Sequence, residues 1–190
     1  MADDLSVMVA GPAGPVNSEA QLLRLALRLG QRVARDGARI VTAESCTGGA
    51  IARALTESAG SSVWFDRGFV TYSNASKTEQ LGVDATLLAE FGAVSEPVAL
   101  AMAVGALATI AAPSPALALA VTGIAGPGGA VPGKPVGTIC FGWAVRTAVD
   151  TVAKTSVQTV HWDGDRVAVR LAAAAHALTQ ALVHWEAGPT

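Results

Sequence analysis

The sequence predicts an α/β domain with three α/β/α layers, a sandwich built around a mixed sheet. Apolar stretches typical of buried strands alternate with segments of helical periodicity along most of the 190 residues. Late in the chain, two strand-like stretches follow each other directly, which indicates an antiparallel hairpin beside the parallel strands. Hydrophobic residues make up 51% of the chain and charged residues 15%, so the chain can bury a large core and is not a disordered protein.

The first predicted elements follow a mobile N-terminal leader. Residues 1–18 include a glycine- and proline-rich stretch, and the domain is expected over residues 19–190. Asn17 or Ser18 can cap the first helix. Its apolar face carries Leu22, Leu25, Leu29 and Val33. A short buried strand over residues 38–41 and a helix from Gly48 come next.

The remaining elements complete the alternation of helices and strands. They are a strand over residues 63–72, short helices over 77–81 and 85–91, a helix over 96–111 with Pro97 in its first turn, a buried strand over 116–121, hairpin strands near 136–145 and 152–161, and a last helix over 166–185.

The charge and composition of the chain limit which partners and which cellular location we expect for the protein. A net charge of −2 gives no electrostatic reason to expect a nucleic acid. No apolar run reaches the roughly 18 residues that span a bilayer, and the N-terminus lacks the basic start of a signal peptide. Two cysteines do not make a disulfide framework. We therefore expect a cytoplasmic protein without a membrane partner, and the alanine-rich helices suggest a homodimer or higher homo-oligomer.

The most informative segment is residues 42–49, where Ser45, Cys46 and Thr47 precede two glycines. The segment lies between a predicted strand and a predicted helix. Such a turn presents a side chain beside free backbone N–H groups at the positive end of a helix. Proteins place nucleophiles and bind anions at turns of this kind.

The residues alone leave the nucleophile and its base open. Ser45 needs a base to take its proton, and the three histidines all lie late in the chain, two of them on the last helix. Lys77 is the other candidate base, although residue type alone favours a solvated lysine in a first helical turn. Cys46 competes as nucleophile, or it is a small buried apolar residue.

Three further features suggest ligand binding. Glu44 either orients a base, holds a ligand hydroxyl or caps the following helix. The loop after residues 116–121 is rich in glycine, including Gly123 and Gly126, so its N–H groups can approach a phosphate or a ribose. Arg166 can pair with phosphate or be a surface residue of a helix N-terminus. No metal-ligand pattern appears, and we expect no metal and no other cofactor.

Together these segments resemble the CinA C-terminal-domain family, the nicotinamide mononucleotide amidohydrolases. The matching segments are residues 42–49, 60–62, 65–74 with Lys77, 92–97, 122–127, 134–138 and 164–166, in the same order along residues 19–186. Many family members carry a second, N-terminal domain that resembles molybdopterin-binding proteins, and we expect a stand-alone domain without it here.

The resemblance implies hydrolysis of nicotinamide mononucleotide to nicotinate mononucleotide and ammonia, without a metal. It also implies that Ser45 is the nucleophile and Lys77 the base, assisted by Tyr72. The implied substrate-binding set is Glu44, Cys46, Thr47, Gly48, Thr122, Gly123, Gly126 and Arg166. The alternative is a nucleotide-binding module of a CinA-type pathway that has no turnover.

Overall fold

A computed structural model describes residues 18–147 and 153–187. Residues 1–17 of the predicted leader lie outside the described residues, as does Val152 at the start of the second hairpin strand. Ser18 is the N-cap of the first helix, and its hydroxyl accepts a hydrogen bond from the Gln21 N–H. Of the two predicted caps, Ser18 is therefore the one in place.

Six helices and five strands follow one another along the described residues. In chain order they are α1 (Glu19–Arg35), β1 (Arg39–Glu44), α2 (Ala50–Thr56), β2 (Phe65–Val70), α3 (Asn74–Leu81), α4 (Ala85–Phe91), α5 (Glu96–Ala108), β3 (Ala116–Gly123), β4 (Thr138–Arg146), β5 (Lys154–His161) and α6 (Arg166–Glu186).

The predicted elements are all present, although the ends of most of them differ from the prediction by one to three residues. Three of these differences follow. Strand β1 continues through Glu44, so Ser45 follows it directly. Ser61–Val63 forms a single 3-10 turn, which delays the start of β2 to Phe65. Helix α5 ends at Ala108, earlier than expected, because an apolar composition alone does not mark where a buried helix stops.

The five strands form one mixed sheet in the order β2-β1-β3-β4-β5. Strand β1 is parallel to β2 and β3, whereas β4 is antiparallel to both of its neighbours, β3 and β5. The predicted hairpin and the mixed sheet are both confirmed. The carboxyl ends of β1, β2 and β3 therefore share one edge with the start of β4 and the end of β5. We call this edge the site edge.

Helices cover both faces of the sheet and complete the predicted three layers. On one face, α1, α2 and α6 pack over the large side chains of β3, such as Leu117 and Leu119. On the other face, α5 packs over small residues, such as Ala118 and Ala120, and α3 and α4 pack against α5. Small side chains on that face allow α5 to lie close to the sheet. Among the described residues, no helix is long and apolar enough to cross a membrane.

Helix α5 also lies close to the end of α3, and a glycine at this contact yields a test of the packing between the two helices. A Cβ at Gly105 would lie 1.9 Å from the Leu81 carbonyl oxygen, which is backbone and cannot rotate away. Helix propensity favours alanine by about 1 kcal/mol, but overpacking of this kind costs about 1–3 kcal/mol or more. Gly105→Ala should therefore lower the free energy of unfolding, measured by urea denaturation. Val104→Ala, at an exposed position of the same helix, is the control and should change it by no more than about 0.5 kcal/mol.

Candidate active site

The turn after β1 places Ser45 at the site edge. Its side chain is buried but for 8% of its surface. The Gly48 N–H donates to the Ser45 carbonyl at 3.0 Å, which closes a tight turn. Gly48 and Gly49 have φ angles of +62° and +90°, in the left-handed region that glycine adopts without strain. The two glycines of the motif therefore let the chain reverse between β1 and α2.

Glu44 is fully buried, and its side chain holds the end of the same turn at which α2 begins. Its carboxylate accepts hydrogen bonds from the N–H groups of Gly49, Ile51 and Ala52, at 3.0, 3.1 and 2.8 Å. The side chain thus caps the N-terminus of α2, one of the roles that the sequence left open. Because all three hydrogen bonds come from backbone N–H groups, the Glu44 carboxylate stabilises the conformation of the turn.

Lys77 lies against Ser45 from the other side. The Ser73 hydroxyl caps α3, which places Lys77 in its first turn. The lysine side chain is nevertheless only 1% exposed, so Lys77 is not the solvated lysine that the sequence also allowed. Its Nζ lies 3.3 Å from Ser45 Oγ, 2.8 Å from the Thr71 carbonyl oxygen and 3.4 Å from the Tyr72 carbonyl oxygen.

Burial favours the neutral form of this amine. Desolvation lowers the pKa of Lys77 from its ordinary value, and only the nearby Cys46 opposes the shift. None of the ion pairs among the described residues includes Lys77. A neutral amine has two hydrogens and one lone pair. When the hydrogens point to the carbonyl oxygens of Thr71 and Tyr72, the lone pair remains for the Ser45 hydroxyl.

Cys46 is less suited to be the nucleophile. Its side chain is 4% exposed, and burial raises the pKa of the thiol to about 12. Since the thiolate is the reactive form, a thiol with this pKa is almost wholly protonated at neutral pH. The structure therefore favours Ser45 in the choice that the sequence left open.

Tyr72 and Arg166 meet at the mouth of the site. Asp165 caps α6 and so places Arg166 at its first residue. The guanidinium donates to the Tyr72 hydroxyl at 3.0 Å and to the Gly126 carbonyl oxygen at 2.7 Å. The tyrosine ring is 59% exposed, and only its carbonyl oxygen is near Lys77. The Tyr72 side chain thus joins Arg166 and the glycine-rich loop rather than the Ser45–Lys77 pair.

The remaining predicted residues lie along the site edge. Thr122 is buried at the end of β3 and donates to the Ala93 carbonyl oxygen at 2.8 Å, which holds the loop before α5. Gly123 lies so close to β4 that a Cβ would come within 2.4 Å of Ile139. Thr47 is fully buried, and its hydroxyl has no hydrogen-bond partner among the described residues. The fold therefore brings the predicted set to one edge of the sheet, where its members contact different neighbours.

Arg170 is a residue of this region that the sequence interpretation missed. It lies one helical turn after Arg166, and its guanidinium donates to the carbonyl oxygens of Cys46 and Thr47 at 3.1 and 2.7 Å. The available signal was spacing, since residues four apart share a helix face. Without knowing where α6 packs, that spacing did not distinguish Arg170 from a solvated residue.

The histidines are engaged elsewhere. His161 hydrogen-bonds the Val136 carbonyl, His176 bonds Gln158 and His184 bonds Ser156. Within the part of the chain that the structure describes, no three His, Cys, Asp or Glu side chains cluster as metal ligands would. The base that the geometry offers to Ser45 is therefore Lys77.

Comparison with known proteins agrees with the resemblance. The sequence-family model of the CinA C-terminal domain matches residues 22–184. A nicotinamide-nucleotide amidohydrolase PncC from Enterobacter agglomerans is 48% identical over 165 residues, which cover 87% of this chain and 96% of that protein. The Escherichia coli K12 protein of the same name is 45% identical, over 85% of this chain and 93% of the relative.

Solved structures agree in fold. The competence/damage inducible protein CihA from Agrobacterium tumefaciens superposes with a TM-score of 0.78 at 43% identity, covering 87% of this chain and 95% of that one. A CinA superfamily protein from Escherichia coli gives a TM-score of 0.75 at 34% identity, over 86% of this chain and 90% of that one. With the family model matched over most of its length, the chain belongs to the CinA C-terminal domain family.

Proposed function

We propose that this chain hydrolyses the carboxamide of nicotinamide mononucleotide, giving nicotinate mononucleotide and ammonia for pyridine-nucleotide recycling. The observation that carries the proposal is the buried Lys77 amine, 3.3 Å from the Ser45 hydroxyl, with which no carboxylate of the described residues forms an ion pair. Relatives at 45–49% identity that are named nicotinamide-nucleotide amidohydrolases support the choice of substrate. The reaction belongs in the cytoplasm, and the alanine-rich chain is proposed to self-associate, as a homodimer or higher homo-oligomer.

In the first half of the reaction, Ser45 Oγ attacks the carboxamide carbon while its proton passes to Lys77 Nζ. A tetrahedral intermediate forms with negative charge on the former carbonyl oxygen. When it collapses, the C–N bond breaks and Lys77 returns the proton to the leaving nitrogen, which departs as ammonia. The product of this half is an ester between Ser45 and the nicotinate carbonyl.

In the second half, a water molecule is the nucleophile and Ser45 is the leaving group. Lys77 takes a proton from the water as its oxygen attacks the ester carbon. The second tetrahedral intermediate collapses with cleavage of the C–Oγ bond, and Ser45 recovers its proton from Lys77. One water is consumed, and the buried amine ends each half in its neutral form. Burial that lowers the pKa of Lys77 therefore serves both halves.

The turn itself supplies donors for the oxyanion. The N–H groups of Ser45, Gly48, Gly49 and Ala50 donate within the protein, at N···O distances of 2.9, 3.0, 3.0 and 3.3 Å. Among the described residues, the N–H groups of Cys46 and Thr47 have no acceptor in another residue. They are therefore the donors next to Ser45 that no other described residue engages, and one such donor is often worth about 2.7–4 kcal/mol of transition-state stabilisation.

Arg166 is the proposed phosphate ligand. Its guanidinium lies at the mouth of the site, with the Tyr72 hydroxyl and the Gly126 carbonyl as its neutral partners. No carboxylate pairs with it in the part of the chain that the structure describes. A guanidinium without an anionic partner keeps its full charge for a phosphate dianion. The glycine-rich loop that it touches supplies backbone donors, as the sequence suggested.

The second candidate is a nucleotide-binding module without turnover. The Ser45–Lys77 pair speaks against it, because a module that only binds has no use for a buried amine beside a hydroxyl. Ammonia release from nicotinamide mononucleotide, with nicotinamide and NAD as comparison substrates, separates the two. Tight binding of the mononucleotide without ammonia release would favour the module.

Replacing the proposed nucleophile tests the mechanism. Ser45→Ala should reduce turnover by orders of magnitude and leave the folded state intact, because the hydroxyl adds little to core packing. Cys46→Ala should keep most of the turnover, since the backbone N–H remains. Ser62→Ala, at an exposed serine, is the matched control for the serine change. The nucleophile is wrongly assigned if Cys46→Ala is inactive while Ser45→Ala still turns over.

The pH profile tests the proposed base. Activity needs neutral Lys77, so kcat/KM should fall as the pH drops through the lowered pKa of this amine and stay level above it. Lys77→Arg should be inactive, since a guanidinium does not accept a proton at neutral pH. Lys154→Arg, on the exposed start of β5, is the control. Near-normal turnover of Lys77→Arg would leave the lysine with an electrostatic or structural role.

Comparing two substrates tests the phosphate contact. Arg166→Ala should raise KM for nicotinamide mononucleotide strongly and change kcat less, if the contact is equal in ground and transition states. The corresponding riboside has no phosphate, so its kinetics should hardly change. Arg24→Ala, an exposed arginine on α1, is the control. An equal effect on both substrates would make Lys134 the next candidate, whose Nζ lies 3.0 Å from the Phe91 carbonyl oxygen.

A further inference from the structure

Arg170 joins α6 to the turn that carries Ser45. Its Nε donates to the Cys46 carbonyl oxygen at 3.1 Å, and its Nη2 donates to the Thr47 carbonyl oxygen at 2.7 Å. The two carbonyls belong to successive peptide groups, so one guanidinium holds two neighbouring peptide planes. A planar fork of N–H donors suits this task better than a single ammonium group does.

Because each peptide group is planar, the two hydrogen bonds from Arg170 also fix the directions of two N–H groups. A trans peptide is planar, and its C=O and N–H point in opposite directions. The Cys46 carbonyl shares its peptide group with the Thr47 N–H, which is one of the two free donors of the turn. The Thr47 carbonyl shares its peptide group with the Gly48 N–H, which closes the turn onto Ser45. Arg170 therefore fixes the direction of a free donor and the closure of the turn together.

Close packing keeps the guanidinium in place. A Cβ at Gly48 would lie 3.1 Å from Arg170 Nη2, so the absence of a side chain there leaves room for the arginine. Glu44 holds the other end of the turn through the N–H groups that start α2. The turn is thus held at its carbonyls by a cation from α6 and at its N–H groups by an anion from β1.

We propose that Arg170 is a positioning residue for the amide hydrolysis, which orients the Thr47 N–H toward the oxyanion. The proposal rests on the proposed function, and Arg170 acts through the turn without touching the substrate. Its positive charge also polarises the peptide groups that it binds, which makes their N–H groups stronger donors. The effect appears in kcat, because the negative charge on the oxygen develops in the transition state and the tetrahedral intermediate and is absent from the bound substrate.

The kinetic test uses Arg170→Lys and Arg170→Met, with Arg28→Lys on the exposed face of α1 as the matched control. We expect kcat to fall about 10- to 100-fold in both Arg170 variants, since loss of one oxyanion donor costs about 100- to 1,000-fold and here the donor is misdirected. KM should stay within about two-fold, and the acidic limb of the pH profile should not move. A raised KM with unchanged kcat, or kcat equal to that of the control, would overturn the proposal.

Two further measurements separate positioning from loss of fold. Thermal unfolding of each variant shows whether the turn is simply disordered, and Arg170→Ala is assayed with added guanidinium ion. A free guanidinium that occupies the vacated space should restore part of kcat, whereas it does not repair an unfolded domain. A variant that melts with the wild type, loses kcat and gains nothing from guanidinium contradicts the assigned role.

A substrate-independent readout separates this inference from the proposed function. A small alkyl fluorophosphonate phosphonylates an activated serine, with loss of fluoride, and its phosphoryl oxygen needs the same donors as the oxyanion. Mass spectrometry gives the labelling rate of Ser45 in wild type and Arg170→Lys. If wild type labels but releases no ammonia from the mononucleotide, the proposed function fails and a slower rate in Arg170→Lys still supports positioning. Equal labelling rates, or no labelling of wild type, overturn the positioning role.

Discussion

The candidate site depends on the burial of an amine beside a hydroxyl. Lys77 is almost completely enclosed, and desolvation lowers its pKa because the charged form loses its water. A carboxylate partner would stabilise the ammonium and remove the base; the described ion pairs include none at Lys77. The amine instead rests on the backbone carbonyls of Thr71 and Tyr72, which keep it 3.3 Å from Ser45 Oγ.

The sheet explains why these groups meet. Parallel strands β1 and β2 end side by side, so the turn after β1 faces the segment that leads from β2 into α3. Strand β3 lies on the other side of β1, and its end carries the glycine-rich loop to the same edge. Helix α6 then brings Arg166 to that loop and Arg170 to the turn. Each layer of the sandwich therefore contributes one part of the site.

The sequence indicated the turn, the fold class and the hairpin, because each leaves a local trace. Apolar runs followed by Ser45 and two glycines are visible in a short window, and the family resemblance added the pairing with Lys77. The 3-10 turn at Ser61–Val63 and the end of α5 had no comparable local signal. Tertiary contacts set such boundaries, since the sequence of a buried apolar segment looks the same whether or not the segment is helical.

The roles of individual side chains were decided by tertiary structure. Sequence alone left Lys77 open between a base and a solvated lysine, and the folded chain buries it between Ser45 and the segment that follows β2. It also left Glu44 open, and the three N–H groups at the start of α2 engage its carboxylate. The spacing of Arg170 from Arg166 did not reveal its role, because its partners are carbonyl groups far away in the chain. Local pattern determines which elements form, whereas pKa, pairing and orientation depend on the neighbours that only the folded chain supplies.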